Sequence, residues 1–146
     1  MEDDQLSYQL SFDPARLDRG AIHAFLAQSY WSPGIPRAVV ETAIDHSLCI
    51  GLFCQGKQVG FARAVTDRAT FAYLADVFVV EAHRGQGQAR RMVETLLAHP
   101  DLQGLRRLML ATRDAHALYA PFGFRPLAKP ERMMEKHDPD VYSRLR

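Results

Sequence analysis

Residues 76–97 read DVFVVEAHRGQGQARRMVETLL, Asp76 to Leu97, and the fold turns on how this stretch is parsed. It opens inside a nearly continuous apolar run, Tyr73–Val80, rich in β-branched and aromatic residues and short enough to be a buried strand. A basic turn punctuated by glycine follows, Arg84-Gly85-Gln86-Gly87-Gln88. Ala89, Met92, Val93, Leu96 and Leu97 then recur at the i, i+3, i+4, i+7, i+8 spacing of an amphipathic helix. A strand, a glycine turn and a helix start predict an anion site, because the first N–H groups of a helix lack intrahelical partners and its dipole favours negative charge there. Gly85 and Gly87 carry no side chain, so the backbone can approach a phosphate-bearing ligand closely.

Upstream, residues 7–12 read as a first strand, and Asp18 as the N-cap of a helix Arg19–Gln28, with Leu17 and Ile22 as a hydrophobic staple. The helix would bury Ala21, Ile22, Phe25 and Leu26. A turn-rich segment, Ser29–Pro36, holds the only Trp, and Pro36 suits the first turn of a second helix running to about His46. Leu48–Cys54 and Lys57–Thr66 predict a hairpin closed near Gln55-Gly56, with Gly60, Ala62 and Ala64 forming a small-residue stripe against which a helix can pack. Downstream, Arg106–Thr112 reads as a strand, and Asp114 as the N-cap of a short helix ended by Pro121 and Gly123. Two further strands are expected at Phe122–Leu127 and Glu131–His137. The expected class is α/β, with a mixed sheet flanked by helices, in one domain spanning residues 1–146.

Hydrophobic content of 47% and charged content of 24% belong to an ordinary globular chain, and a net charge of +1 argues against a dedicated nucleic-acid binder. There is no apolar run of membrane-span length, and the start, MEDDQLSYQL, is acidic, unlike a signal peptide. Cys49 and Cys54 are oddly spaced on one strand, which points them to opposite faces as buried free thiols. That usage suits a reducing cytosol, so a cytoplasmic location with no membrane partner is expected. The histidines show no metal-ligand spacing and H-E-x-x-H is absent, so no metal is expected.

The glycine turn is not a dinucleotide fingerprint, because Arg90 stands where the third glycine of G-x-G-x-x-G would fall, and no P-loop lysine follows. What fits is Arg84-Gly-Gln-Gly-Gln-Ala89, which matches the Q/R-x-x-G-x-G/A pattern of the GNAT acyl-CoA N-acyltransferase superfamily. A second signature, Tyr119-Ala-Pro-Phe-Gly-Phe124, resembles that family's Y-x-x-x-G-F. The two lie about thirty residues apart with a strand between them, and together they are far more specific than either alone.

This resemblance implies a GNAT-like, mostly antiparallel sheet with a splayed strand pair at the acyl-CoA site. It implies that backbone amides of Gly85, Gln86, Gly87, Gln88 and Ala89 hold the pyrophosphate of acetyl-CoA and that Arg84 reaches phosphates. Backbone groups around Phe78, Val79 and Val80 would meet the pantetheine arm, and an N–H near Val77–Val79 would polarise the thioester carbonyl. Tyr119 would protonate the departing thiolate, a role its ordinary pKa of about 10 permits; packing beside Phe122 is the plainer alternative. Thr112 replaces the asparagine frequent in the family at that position. Tyr30 and Trp31 would wall the acceptor site. Asp76, the only charge in its apolar run, is a candidate general base or substrate anchor, or is tied to a neighbouring basic group. The implied partners are acetyl-CoA and an amine acceptor, with the chain a monomer or homodimer. A non-catalytic acyl-CoA sensor of the same fold is the alternative.

Overall fold

The computed structural model describes residues 7–145; the start of the acidic N-terminal segment, residues 1–6, lies outside them. Five strands, β1 (Tyr8–Ser11), β2 (Leu48–Cys54), β3 (Lys57–Thr66), β4 (Phe71–Val79) and β5 (Arg107–Leu110), form one sheet in chain order. The first three pairings are antiparallel, and β4 with β5 is parallel. The parallel pair needs a crossover, which α3 (Gln88–Leu97) supplies. Helices α1 (Arg19–Leu26) and α2 (Arg37–Asp45) cover the other face, and the short α4 (His116–Tyr119) and α5 (Val141–Arg144) follow β5. The architecture is the mixed, mostly antiparallel α/β class that the sequence predicts.

Local chemistry explains the elements. The Asp18 carboxylate accepts the Ala21 N–H at 3.0 Å and caps α1. Pro36 is the N-cap of α2, one position earlier than expected, and needs no N–H there. The β2–β3 turn places both Gln55 (φ 53°) and Gly56 (φ 81°) at positive φ, as a type I′ hairpin demands.

The sheet divides two cores. On one side Met92, Val93 and Leu96 of α3 are fully buried against Ile50, Leu52, Ala62, Ala64, Ala72 and Leu74. Each such side chain contributes about 1.5–3 kcal/mol of burial. On the other side Ile22 and Leu26 of α1 and Val40 and Ile44 of α2 meet Cys49, Phe61 and Phe78. Cys54 belongs to the first core and Cys49 to the second, both as free thiols. Gly60 is needed for close approach: a Cβ there would stand 3.0 Å from the Phe78 carbonyl oxygen and 3.1 Å from Leu52. Ala21, expected inside, is exposed.

Three expectations fail toward the C-terminus. Neither Phe122–Leu127 nor Glu131–His137 forms a strand; the segment instead carries a 3-10 turn at Pro130–Arg132 and then α5. Pro121, Pro126 and Pro130 lack the N–H that a sheet ladder requires. Asp114 does not cap α4. Ala115 is the capping residue, and the Thr112 hydroxyl accepts its N–H at 3.0 Å.

Candidate active site

The site is built where β4 breaks step with its neighbours. Phe61 pairs with Phe78 and Arg63 with Ala75, so Asp76 and Val77 together face the single residue Ala62. This is a β-bulge. Asp76 absorbs it at φ +57°, a conformation that Asp tolerates better than most residues. On the other edge, pairing with β5 ends at Leu74–Leu110 while β4 runs on to Val79. The two strands therefore part beyond Leu74, giving the splayed pair.

The gap opens into two connected lobes, of about 530 Å³ and about 660 Å³. Tyr30, Trp31, Val77, Asp114, Ala115 and Tyr119 line both. The smaller lobe also reaches Arg63, Tyr73, Asp76, Thr112 and Tyr142. The larger extends past Phe78 and Val79 to Arg84 and Ala89. Tyr30 and Trp31, in the loop between α1 and α2, bridge the parted strands. The Trp31 indole N–H donates to Asp76 Oδ1 at 2.9 Å, and the Arg113 N–H donates to the Tyr30 hydroxyl at 3.3 Å.

Asp76 is tied to a basic group. Its Oδ2 accepts the Arg63 Nε–H at 2.6 Å, and Arg63 also donates to the Ser47 hydroxyl at 3.1 Å. The pair is only 18% and 10% exposed at its side chains. Arg63 was missed by the sequence reading; its signal is a lone charge inside a strand of small and apolar residues, like Asp76 itself.

Tyr119 stands where the lobes join. Its ring is buried edge-on to Phe124, with centroids 6.0 Å apart, and burial, then proximity to Tyr30, pushes its phenol up to about 12. His116, one turn earlier, is exposed and lines neither lobe.

At the far end of the larger lobe, Gly85 (φ 77°) and Gly87 (φ 78°) hold left-handed conformations, and a Cβ at either would meet open space. Gly87 is the N-cap of α3, and no side chain caps that helix. The first intrahelical bond runs from the Arg91 N–H to the Gly87 carbonyl, leaving the N–H groups of Gln88, Ala89 and Arg90 without helical partners. Gln86 is held by the Tyr8 hydroxyl, which donates to its Oε1 at 3.1 Å and also lies 2.8 Å from His83 Nδ1. Gln88 accepts from Arg91 at 3.2 Å.

Two of the expected binding residues are themselves held by backbone carbonyls. Val80 gives its N–H to the Val59 carbonyl at 2.8 Å, so that donor faces β3 rather than the gap. By strand alternation the backbone groups of Val79 turn the other way, to the open side. Arg84 bends back, its Nε–H donating to the Val79 carbonyl at 2.7 Å, which places the guanidinium against the strand. Phe78 is buried, stacked on Phe25 at 3.8 Å between centroids. Among the described residues no group of His, Cys, Asp and Glu could hold a metal ion, and no helix is long and apolar enough to cross a membrane.

Known proteins share this plan. A profile described as "Acetyltransferase (GNAT) family" matches residues 21–124. A putative acetyltransferase of Gibberella zeae is 34% identical over 135 residues, covering 77% of this chain and 75% of that protein. The crystal structure of a putative acetyltransferase belonging to the GNAT family from Xanthomonas campestris pv. campestris is 52% identical, superposes with a TM-score of 0.91, and covers 94% of this chain and 97% of its own. A predicted acetyltransferase from Clostridium acetobutylicum, solved with acetyl-CoA, shares the fold at 13% identity with a TM-score of 0.66, covering 91% and 96%. With the splayed strands, the glycine turn and the tyrosine at the junction, the chain belongs to the GNAT acetyltransferase family.

Proposed function

We propose that this protein is an N-acetyltransferase that moves the acetyl group of acetyl-CoA to a primary amine by direct attack in a ternary complex. The observation that carries the reading is the place of Tyr119, which lines both lobes of the cleft where they join. Burial keeps its phenol in the neutral form, so it carries the proton that a departing thiolate takes up.

The larger lobe takes the acyl-CoA. Unpaired N–H groups of Gln88 and Ala89, with the open backbone of Gly85, Gln86 and Gly87, hold the pyrophosphate. Arg84, Phe78 and the outward backbone of Val79 meet the pantetheine arm, and the N–H of Val77 or Val79 donates to the thioester oxygen as charge develops there. The smaller lobe takes the amine. Asp76, paired with Arg63, anchors the ammonium and accepts its proton directly or through water, and Thr112 keeps the turn before Tyr119 in place. Tyr30 and Trp31 wall both partners. Neither cysteine lies in the cleft, so no covalent acetyl-enzyme is invoked.

The test is Tyr119→Phe, followed by free-thiol release. Turnover should fall by on the order of 10²-fold, the low end of general acid catalysis, with acetyl-CoA affinity within about twofold of the native value. Native turnover in the variant removes Tyr119 from the chemistry. Tight acetyl-CoA binding without thiol release across an amine panel favours the sensor reading instead.

A further inference from the structure

Resting on the acetyl-transfer reading above, we infer that the acceptor is a small monoamine with a flat aromatic body. Three large aromatic side chains left exposed, Tyr30 (49%), Trp31 (41%) and Tyr73 (36%), line the same 530 Å³ lobe, and Tyr142 joins them from α5. Aromatic surface left open in a concave site is characteristic of a ligand pocket rather than of scattered surface residues. Rings at such a wall bind a second ring by stacking or edge contact, and a cation by its charge. Tyr30 already shows the second mode, with the Arg113 guanidinium 3.9 Å from its ring centre.

The charges narrow the class further. The lobe holds two carboxylates and two guanidiniums, and each carboxylate is matched: Asp76 by Arg63 at 2.6 Å, Asp114 by Arg113 at 3.7 Å. No surplus negative charge remains to hold a polyamine or an aminoglycoside, whose several ammonium groups each need a partner. Of the two carboxylates only Asp76 is held inside the lobe, its side chain 10% exposed against 69% for Asp114; the protein uses one lone-pair site on each of its oxygens, out of about four, so it can serve one ammonium. The lobe therefore offers one anchor for one charge, surrounded by rings.

The experiment compares 2-phenylethylamine, butylamine, spermidine and kanamycin as acceptors for the full-length protein at saturating acetyl-CoA, reading thiol release. The kcat/KM for 2-phenylethylamine should exceed that of each other amine by about tenfold, the scale of one aromatic contact plus its buried area. Tyr73→Ala should lower kcat/KM for 2-phenylethylamine several-fold more than for butylamine, erasing most of that margin, and Tyr73→Phe should keep it. A polycation accepted as well as or better than 2-phenylethylamine overturns the acceptor class alone, as does a Tyr73→Ala loss shared equally by butylamine. Thiol release from none of the four, with acetyl-CoA bound in calorimetry, overturns the acetyl-transfer reading with it.

Discussion

Replacing Arg63 with Met should destabilise the protein well beyond what a surface ion pair would predict. The Arg63–Asp76 contact is 2.6 Å long between side chains 18% and 10% exposed. With charge centres about 4 Å apart and an effective dielectric of about 20, the attraction is about 4 kcal/mol, set against the cost of taking both ions out of water. Removing only Arg63 forfeits the attraction while Asp76 stays buried with the Trp31 N–H as its sole neutral donor. Losses from breaking a buried pair run about 3–5 kcal/mol, and the partial exposure of Arg63 favours the lower end, about 3 kcal/mol. For a chain of this size that lowers Tm by roughly 10 °C. Asp76→Asn is the matching variant, since Asn accepts the +57° φ and nearly the same shape. Urea unfolding of both single variants and the double variant closes a cycle. Each single change should cost about 3 kcal/mol, and the double should cost less than their sum by about 2 kcal/mol. A coupling below about 0.5 kcal/mol, the value of a solvated pair, refutes the buried-pair argument.

Gly87→Val forces a β-branched residue to φ 78° at the start of α3, so acetyl-CoA affinity measured by calorimetry should fall by roughly tenfold or more, whereas Gly87→Asn should fall less. Tyr8→Phe removes the hydroxyl that holds Gln86 and His83; the KM for acetyl-CoA should rise about threefold, the low end of one net hydrogen bond, with kcat unchanged. Burial pushes the Cys49 thiol up to about 11, so it should resist iodoacetamide at pH 8 in the folded protein and react after unfolding. The unfolded thiol loses its proton near 9 and the folded one near 11, so stability is full below pH 9 and declines as pH rises toward 11, by about 2–3 kcal/mol in all. Cys49→Ala should flatten the early part of that decline in thermal unfolding measured from pH 9 to 10.

Where local chemistry acts alone, the sequence is a sufficient guide. The Asp18 cap, the Gln55-Gly56 turn and the apolar spacing of α3 each depend on residues within a few positions, and each is realised. The glycine turn and Tyr119 were legible as separate motifs, and the parting of β4 from β5 joins them in one cleft. What escaped depends on distant partners or on register. The face taken by Asp76 could not be counted because the bulge at that very residue breaks the alternation, and its partner Arg63 lies across the sheet. Tyr142 reaches the smaller lobe from a tail that forms no strands. The prolines of that tail, Pro121, Pro126 and Pro130, were the signal against them.

The bulge has a consequence for how β4 tolerates change in length. Before it, the even-numbered Ala72 and Leu74 point into the α3 core. After it, the odd-numbered Val77 and Val79 do so, and Phe78 enters the α1–α2 core. The strand is thus written in two reading frames, with Asp76 as the frameshift between them. Deleting Asp76 would merge the two frames and leave Val77, Phe78 and Val79 on their present faces, removing only the bulge. Inserting one residue between Asp76 and Val77 would instead send Phe78 toward α3 and both valines toward α1 and α2. No single substitution along β4 would misdirect as many side chains at once, so this short run should accept altered residues far more readily than an added one.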